Sequence, residues 1–85
     1  MNNSIENLGI QFTCFMDMFS HGVPKSDYQY IVIPLPEDEA IKYMKDELNL
    51  DVDNVSCDCC GKDFTYYENF IPSSCDESNT LYVSL

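Results

Sequence analysis

The chain has no arginine, four lysines, one histidine and three glycines among its 85 residues. Each shortage excludes a class of function. Fifteen acidic residues against those four lysines give a net charge of −11, whereas direct binding to DNA or RNA needs cationic groups that displace condensed counterions. Docking on an anionic membrane surface needs the same cations. Three glycines leave no phosphate-cradling loop of backbone amides. No apolar run reaches the roughly 18 residues of a membrane span. Met1-Asn2-Asn3-Ser4 lacks the basic region of a targeting signal. The chain therefore reads as cytoplasmic, a compartment where thiols stay reduced. The odd count of five cysteines fits a disulfide framework poorly there.

Catalytic groupings are equally scarce. A cysteine nucleophile needs an activating base, and the sole histidine, His21, falls in a predicted turn far along the chain from the cysteine cluster. A redox C-x-x-C sits at a helix N-terminus, which lowers the thiolate pKa; here the flanks are acidic and strand-like, and neighbouring carboxylates raise a thiol pKa. Asp51 and Asp53 share one strand face in the sequence pattern, which a solvated face explains. The expectation is a protein without enzymatic activity.

What is present suits one small domain, residues 1–85. Apolar residues make up 45% and aromatic residues 13% of the chain, enough for a core, although a chain this short buries only about 60–65% of its unfolded surface. Residues 4–21 carry two periods at once. Ile5, Leu8, Phe12, Phe15, Met16 and Phe19 fit a helical face, while Leu8, Ile10, Phe12, Cys14, Met16 and Met18 alternate like a strand. An Asn3–Glu6 capping box and the Gly22…Pro24 stop favour the helix, although Gly9 and Thr13 weaken it. Tyr28–Leu35 is the clearest strand, apolar on both faces as a central strand is. After Pro34 and Pro36, Glu37-Asp38-Glu39 open a helix where the macrodipole favours acids. Ala40, Ile41, Met44 and Leu48 form its apolar stripe, Asp38–Lys42 is a favourable i,i+4 pair, and it ends near Asn49. Residues 50–55 alternate apolar with acidic and read as a strand with one wet face; 64–71 and 80–85 read as further strands, separated by a polar loop over 72–79. The expected fold is α+β: one or two helices packed on a small antiparallel sheet of about four strands, with a C-x-x-C turn between two of them.

That turn, Val55-Ser56-Cys57-Asp58-Cys59-Cys60-Gly61-Lys62, is the chemically distinctive stretch. Cys57 and Cys60 are spaced so that two thiolates reach one metal ion, and Gly61 allows the sharp turn behind them. Cys75 supplies a third ligand in this reading, with Cys14 or His21 as the fourth. Cys57-x-x-Cys60-Gly61-Lys62 resembles one knuckle of a zinc-ribbon protein. The resemblance covers six residues, and the second knuckle keeps only Cys75. Two readings stay open: a structural zinc site, and a turn of reduced thiols that bind no metal.

The charge is distributed unevenly. Residues 37–63 carry nine acids and three lysines, a net −6, against −2 for residues 1–36. A net charge of magnitude about 2–8 suffices for solubility in a small domain, so −11 points to a basic partner. In size, acidity and lack of catalytic residues the chain resembles phage-encoded inhibitors that mimic DNA, including many anti-CRISPR proteins, and bacteriocin nuclease immunity proteins. The resemblance is one of profile. It implies a viral inhibitor that occupies the groove of a nucleic-acid-binding protein, such as a CRISPR effector or a nuclease. Glu37, Asp38, Glu39, Asp46, Glu47, Asp51 and Asp53 are the candidate phosphate surrogates. Tyr43, Tyr66 and Tyr67 are either aromatic anchors within that patch or core residues. The alternative is a zinc-knuckle interaction module that scaffolds a complex through the hairpin around residues 57–71.

Overall fold

The computed structural model describes residues 11–56, 58 and 61–85. The Tyr30-Ile31-Val32-Ile33 run forms strand β2 (Tyr30–Ile33), buried at all four positions. A strand buried on both faces is covered by a packed layer on each side of its sheet. β1 (Thr13–Asp17) flanks it antiparallel, with Thr13 opposite Ile33 and Met16 opposite Tyr30. On the other edge β4 (Thr80–Tyr82) runs parallel to it, with Ile31 opposite Leu81. β3 (Phe64–Glu68) pairs antiparallel with β1, from Thr13 opposite Glu68 to Asp17 opposite Phe64. The sheet order is β3-β1-β2-β4. Among the described residues this is an α+β fold of one α-helix on a four-stranded sheet.

Two crossovers follow from those directions. β2, β3 and β4 all run the same way and β1 runs against them, so the sheet is mixed where the sequence suggested antiparallel pairing throughout. Parallel strands cannot be joined by a tight hairpin. Helix α1 (Glu37–Leu48) lies in the connection from β2 to β3, and residues 69–79 make the connection from β3 to β4.

Strand alternation assigns the two connections to opposite faces. Phe15, Ile31, Ile33 and Phe64 pack with Ala40 and Met44 of α1 and with Val52 behind it. Cys14, Tyr30 and Val32, facing the other way, pack with Phe12, Met16, Ile71 and Cys75. α1 starts behind Pro36, which offers no side-chain cap. Instead the Glu68 carboxylate accepts the Glu37 N–H at 3.0 Å, placing a negative charge where the helix dipole favours it. Asn49, at φ 58°, ends the helix with its N–H on the Met44 carbonyl, the left-handed closure that asparagine tolerates.

Two expected elements are corrected. The helix expected over residues 4–21 is, where described, a strand over Thr13–Asp17 followed by a single 3-10 turn at Ser20–Gly22. Residues 4–10 and the Asn3–Glu6 capping box lie outside the described residues. β1 is central and buried on both faces, which put apolar residues at helical as well as strand spacings. The strand expected over residues 50–55 is a turn. Val52 alone is fully buried there, and no strand ladder includes the segment. The cysteines of the C-x-x-C turn lie outside the described residues, so the turn expected between two strands is not shown.

Candidate acidic interface and cysteine positions

The expected phosphate surrogates form two groups on α1. Asp38 and Glu39 are exposed at its start, beside half-buried Glu37; Asp46 and Glu47 are exposed near its end, with exposed Asp51 just beyond. Glu39 and Asp46 are two turns apart, about 10.5 Å along the axis. Exposed Lys42 and Lys45 lie between the groups. The Asp38–Lys42 contact expected from the sequence does not close. Among the described residues the one ion pair is Lys62 Nζ to Asp53, at 3.0 Å.

Asp53 consequently belongs to a different cluster. Tyr66 donates its hydroxyl proton to the same carboxylate at 3.1 Å, and Lys62 donates to the Tyr66 oxygen at 3.2 Å while lying 5.4 Å from the ring centroid. The hydrogen bond from Lys62 holds the Asp53 carboxyl below its ordinary value, and the reciprocal contact raises Lys62. Tyr66 also packs on Phe15, with ring centroids 5.5 Å apart. Tyr43 is half-buried against the helix-side core. Tyr67 is half-buried with its ring edge-on to Phe70 at 5.5 Å. Phe70 is the more exposed aromatic of that pair, at 54%, and nothing in its sequence context distinguishes it.

Cys57 and Cys60 lie outside the described residues. Their flanks are held by a carboxylate that sequence reasoning missed. Buried Asp63 accepts hydrogen bonds from Asn54 Nδ2 at 2.9 Å, Ser56 N at 3.2 Å and Ser56 Oγ at 3.0 Å. Its own N–H donates to the Asn54 carbonyl at 2.8 Å. Burial opposes ionisation of Asp63, but the bonds from Asn54 and Ser56 together outweigh it and hold the carboxyl below the usual range. A second buried carboxylate, Asp17, accepts the N–H groups of Phe19 and Ser26, each at 3.0 Å, and of Lys25. It shapes the 18–26 loop at the same end of the sheet.

Cys75 is found beside Cys14. Cys75 packs against the second core cluster, of which Cys14 is a member. Burial, followed by the proximity of Cys75, drives the Cys14 thiol far above its ordinary value; burial also raises Cys75. Asp63, through its carbonyl, meets Met18 at 3.0 Å. Met18 is four residues along from Cys14, about 13 Å at the rise of a strand. The clamp around the C-x-x-C flanks and the Cys14–Cys75 pair thus occupy different parts of the molecule. Among the described residues no three His, Cys, Asp or Glu side chains converge as a metal site. No local sequence signal joins Cys14 to Cys75, which meet only through the crossover between β3 and β4.

An open cleft of about 290 Å³ lies between the 25–28 loop and the end of α1, lined by Lys25, Asp27, Ile31, Leu48, Leu50 and Leu81 among others. The Lys25 ammonium is already committed to the Ser20 and Val23 carbonyls, at 3.0 and 2.9 Å. No helix among the described residues is long and apolar enough to cross a membrane. In comparisons with known proteins the chain matches no family, no curated protein and no solved structure.

Proposed function

We propose that the protein is a non-enzymatic acidic inhibitor that occupies the nucleic-acid groove of a basic nucleic-acid-binding protein. The observation that carries this reading is the state of the carboxylates on and after α1. Asp38, Glu39, Asp46, Glu47 and Asp51 are exposed and have no ion-pair partner within the described chain. The four on α1 sit on a helix docked to a sheet, which fixes their backbone before binding, and opposed fields speed encounter with a cationic groove. Asp53 is a lesser contributor because Lys62 already neutralises it.

The test is capture of partners from nuclease-treated lysate on the immobilised protein, with elution in rising salt and competition by duplex DNA. The expected partner is a nucleic-acid-binding protein, released at moderate salt and displaced by DNA. Joint reversal of Asp38, Glu39, Asp46, Glu47 and Asp51 to lysine should abolish capture. Retention through high salt, unaffected by those reversals, rejects the reading.

The second reading is the zinc-knuckle scaffold. It is favoured by the Asp63 clamp, which pins Asn54 and Ser56 beside Cys57. In that case chelation or Cys60→Ser abolishes partner binding while the five charge reversals leave it intact.

A further inference from the structure

We propose that Cys14 and Cys75 are a reversible disulfide pair, which on oxidation staples the crossover of residues 69–79 to the sheet face opposite α1. The argument begins with placement. Cys14 is the middle of a five-residue stretch, Phe12 to Met16, that enters and crosses the sheet centre, and its side chain is 0% exposed. Cys75 arrives from a segment some sixty residues later and packs against the same cluster, which Cys14 forms with Phe12, Tyr30 and Val32.

Several contacts hold Cys75 in place. Its N–H donates to the Pro72 carbonyl at 3.1 Å, closing a turn. The neighbouring Ser74 hydroxyl bonds to the Tyr30 hydroxyl of β2, and the Asn79 side chain donates to the Ser74 carbonyl at 3.1 Å. Two thiols packed in one cluster, each on backbone fixed by independent bonds, need little rearrangement to be joined.

The exposure of the two thiols sets the order of events. Cys75 is half-buried and Cys14 is enclosed, so Cys75 is the entry thiol. Its thiolate attacks a low-molecular-weight disulfide, forming a mixed disulfide and releasing one small thiol. Cys14 then loses its proton and attacks the Cys75 sulfur, forming the Cys14–Cys75 bond and expelling the second small thiol. Two electrons pass from the cysteine pair to the oxidant, whose own disulfide is cleaved. Burial raises both thiols above their ordinary values, so the exchange is slow at neutral pH.

A bond between residues this far apart removes much of the unfolded chain's freedom. The expected rise in Tm is on the order of 10 °C.

The experiment incubates fully reduced protein with oxidised glutathione, alkylates the remaining thiols under denaturing conditions and maps peptides without reduction. The proposal expects a Cys14–Cys75 linked peptide, a raised Tm, and reversal of both by dithiothreitol. A triple variant, Cys57→Ser with Cys59→Ser and Cys60→Ser, removes the other thiols and should still form the link and gain the same Tm shift. Cys75→Ser, at the half-buried position, should fold and gain nothing from the oxidant. The proposal is overturned if Cys14 and Cys75 are both still alkylated in the triple variant after prolonged oxidation. It is likewise overturned if Cys75 stops at the glutathione adduct, or links instead to Cys57, Cys59 or Cys60 in the unsubstituted protein.

Discussion

The two crossovers of this sheet perform the same topological task with different physics. From β2 to β3 the chain passes through α1, which satisfies its own backbone groups and buries Ala40 and Met44 fully against the sheet. From β3 to β4 it passes through residues 69–79, which form no helix or strand. Here turns substitute. Asp76 accepts the Ser78 N–H at 2.8 Å and the Asn79 N–H at 3.2 Å, and donates its own N–H to Asn79 Oδ1 at 2.9 Å. Only Ile71 and Cys75 of this connection join a core cluster, both half-buried. The helical crossover is held by apolar area, and the loop crossover by a few polar tethers and a thiol contact. Segments held in the second way open first.

The strongest test compares one side chain from each face. Phe15→Ala should cost about 3–5 kcal/mol in urea unfolding, the range for a fully buried phenylalanine. Ile71→Ala, half-buried on the loop side, should cost about 1–2 kcal/mol, near half the full burial term. If Ile71 proves the more costly, the ranking of the two faces is wrong.

The return from α1 to β3 has a polar anchor of its own. Asp63→Asn should cost about 1–3 kcal/mol, because one amide oxygen cannot accept all that the carboxylate accepts. The pH dependence has a defined sign. The folded carboxyl titrates below the unfolded value, which is about 3.9. Its contribution is complete above about pH 4 and is lost as pH falls through the folded value. A stability profile between neutral pH and pH 2 should therefore have a shallower acid limb in Asp63→Asn.

Smaller effects sharpen the picture of the loop. Tyr30→Phe removes the bond to Ser74 and should cost about 0.5–1.5 kcal/mol. Its signature is local: faster amide hydrogen exchange across residues 70–79, with α1 unchanged. The smallest effect belongs to Asp53→Asn. The Lys62–Asp53 pair is about half exposed on both sides, at 53% and 47%, and exposed pairs contribute little. Its urea midpoint should match that of the unsubstituted protein.

Legibility in the sequence followed how local each cause was. α1 could be read from its acidic first turn and the spacing of Ala40, Ile41, Met44 and Leu48, and it spans Glu37–Leu48 as those residues suggest. β2 could be read because β-branched residues buried on both faces have few other solutions. β1 could not. Phe12, Phe15 and Met16 satisfy a helical period and Cys14 a strand period, and the choice was made by Ile31 and Tyr66 on the strands flanking Phe15. Residues 50–55 had the alternation of a strand, but they meet the start of β3 through only the Val52 and Asn54 carbonyls, which accept from the Phe64 and Asp63 N–H groups at 3.4 and 2.8 Å, and build no ladder. Of the candidate interface, the exposure of Asp38, Glu39, Asp46, Glu47 and Asp51 was legible from charge and helix phase. The diversion of Asp53 and Tyr66 into a cluster with Lys62 was not.

The sequence by itself determined the quantities that need no partner: the net charge, the helix with its closure at Asn49, and the central strand. Tertiary structure alone decided the rest. It set the mixed strand order, the burial of Asp63 and Asp17 as loop anchors, and the meeting of Cys14 with Cys75. These depend on contacts between residues far apart in the chain, whose energy is gained only after the intervening loops have closed. No local pattern of residues encodes that event.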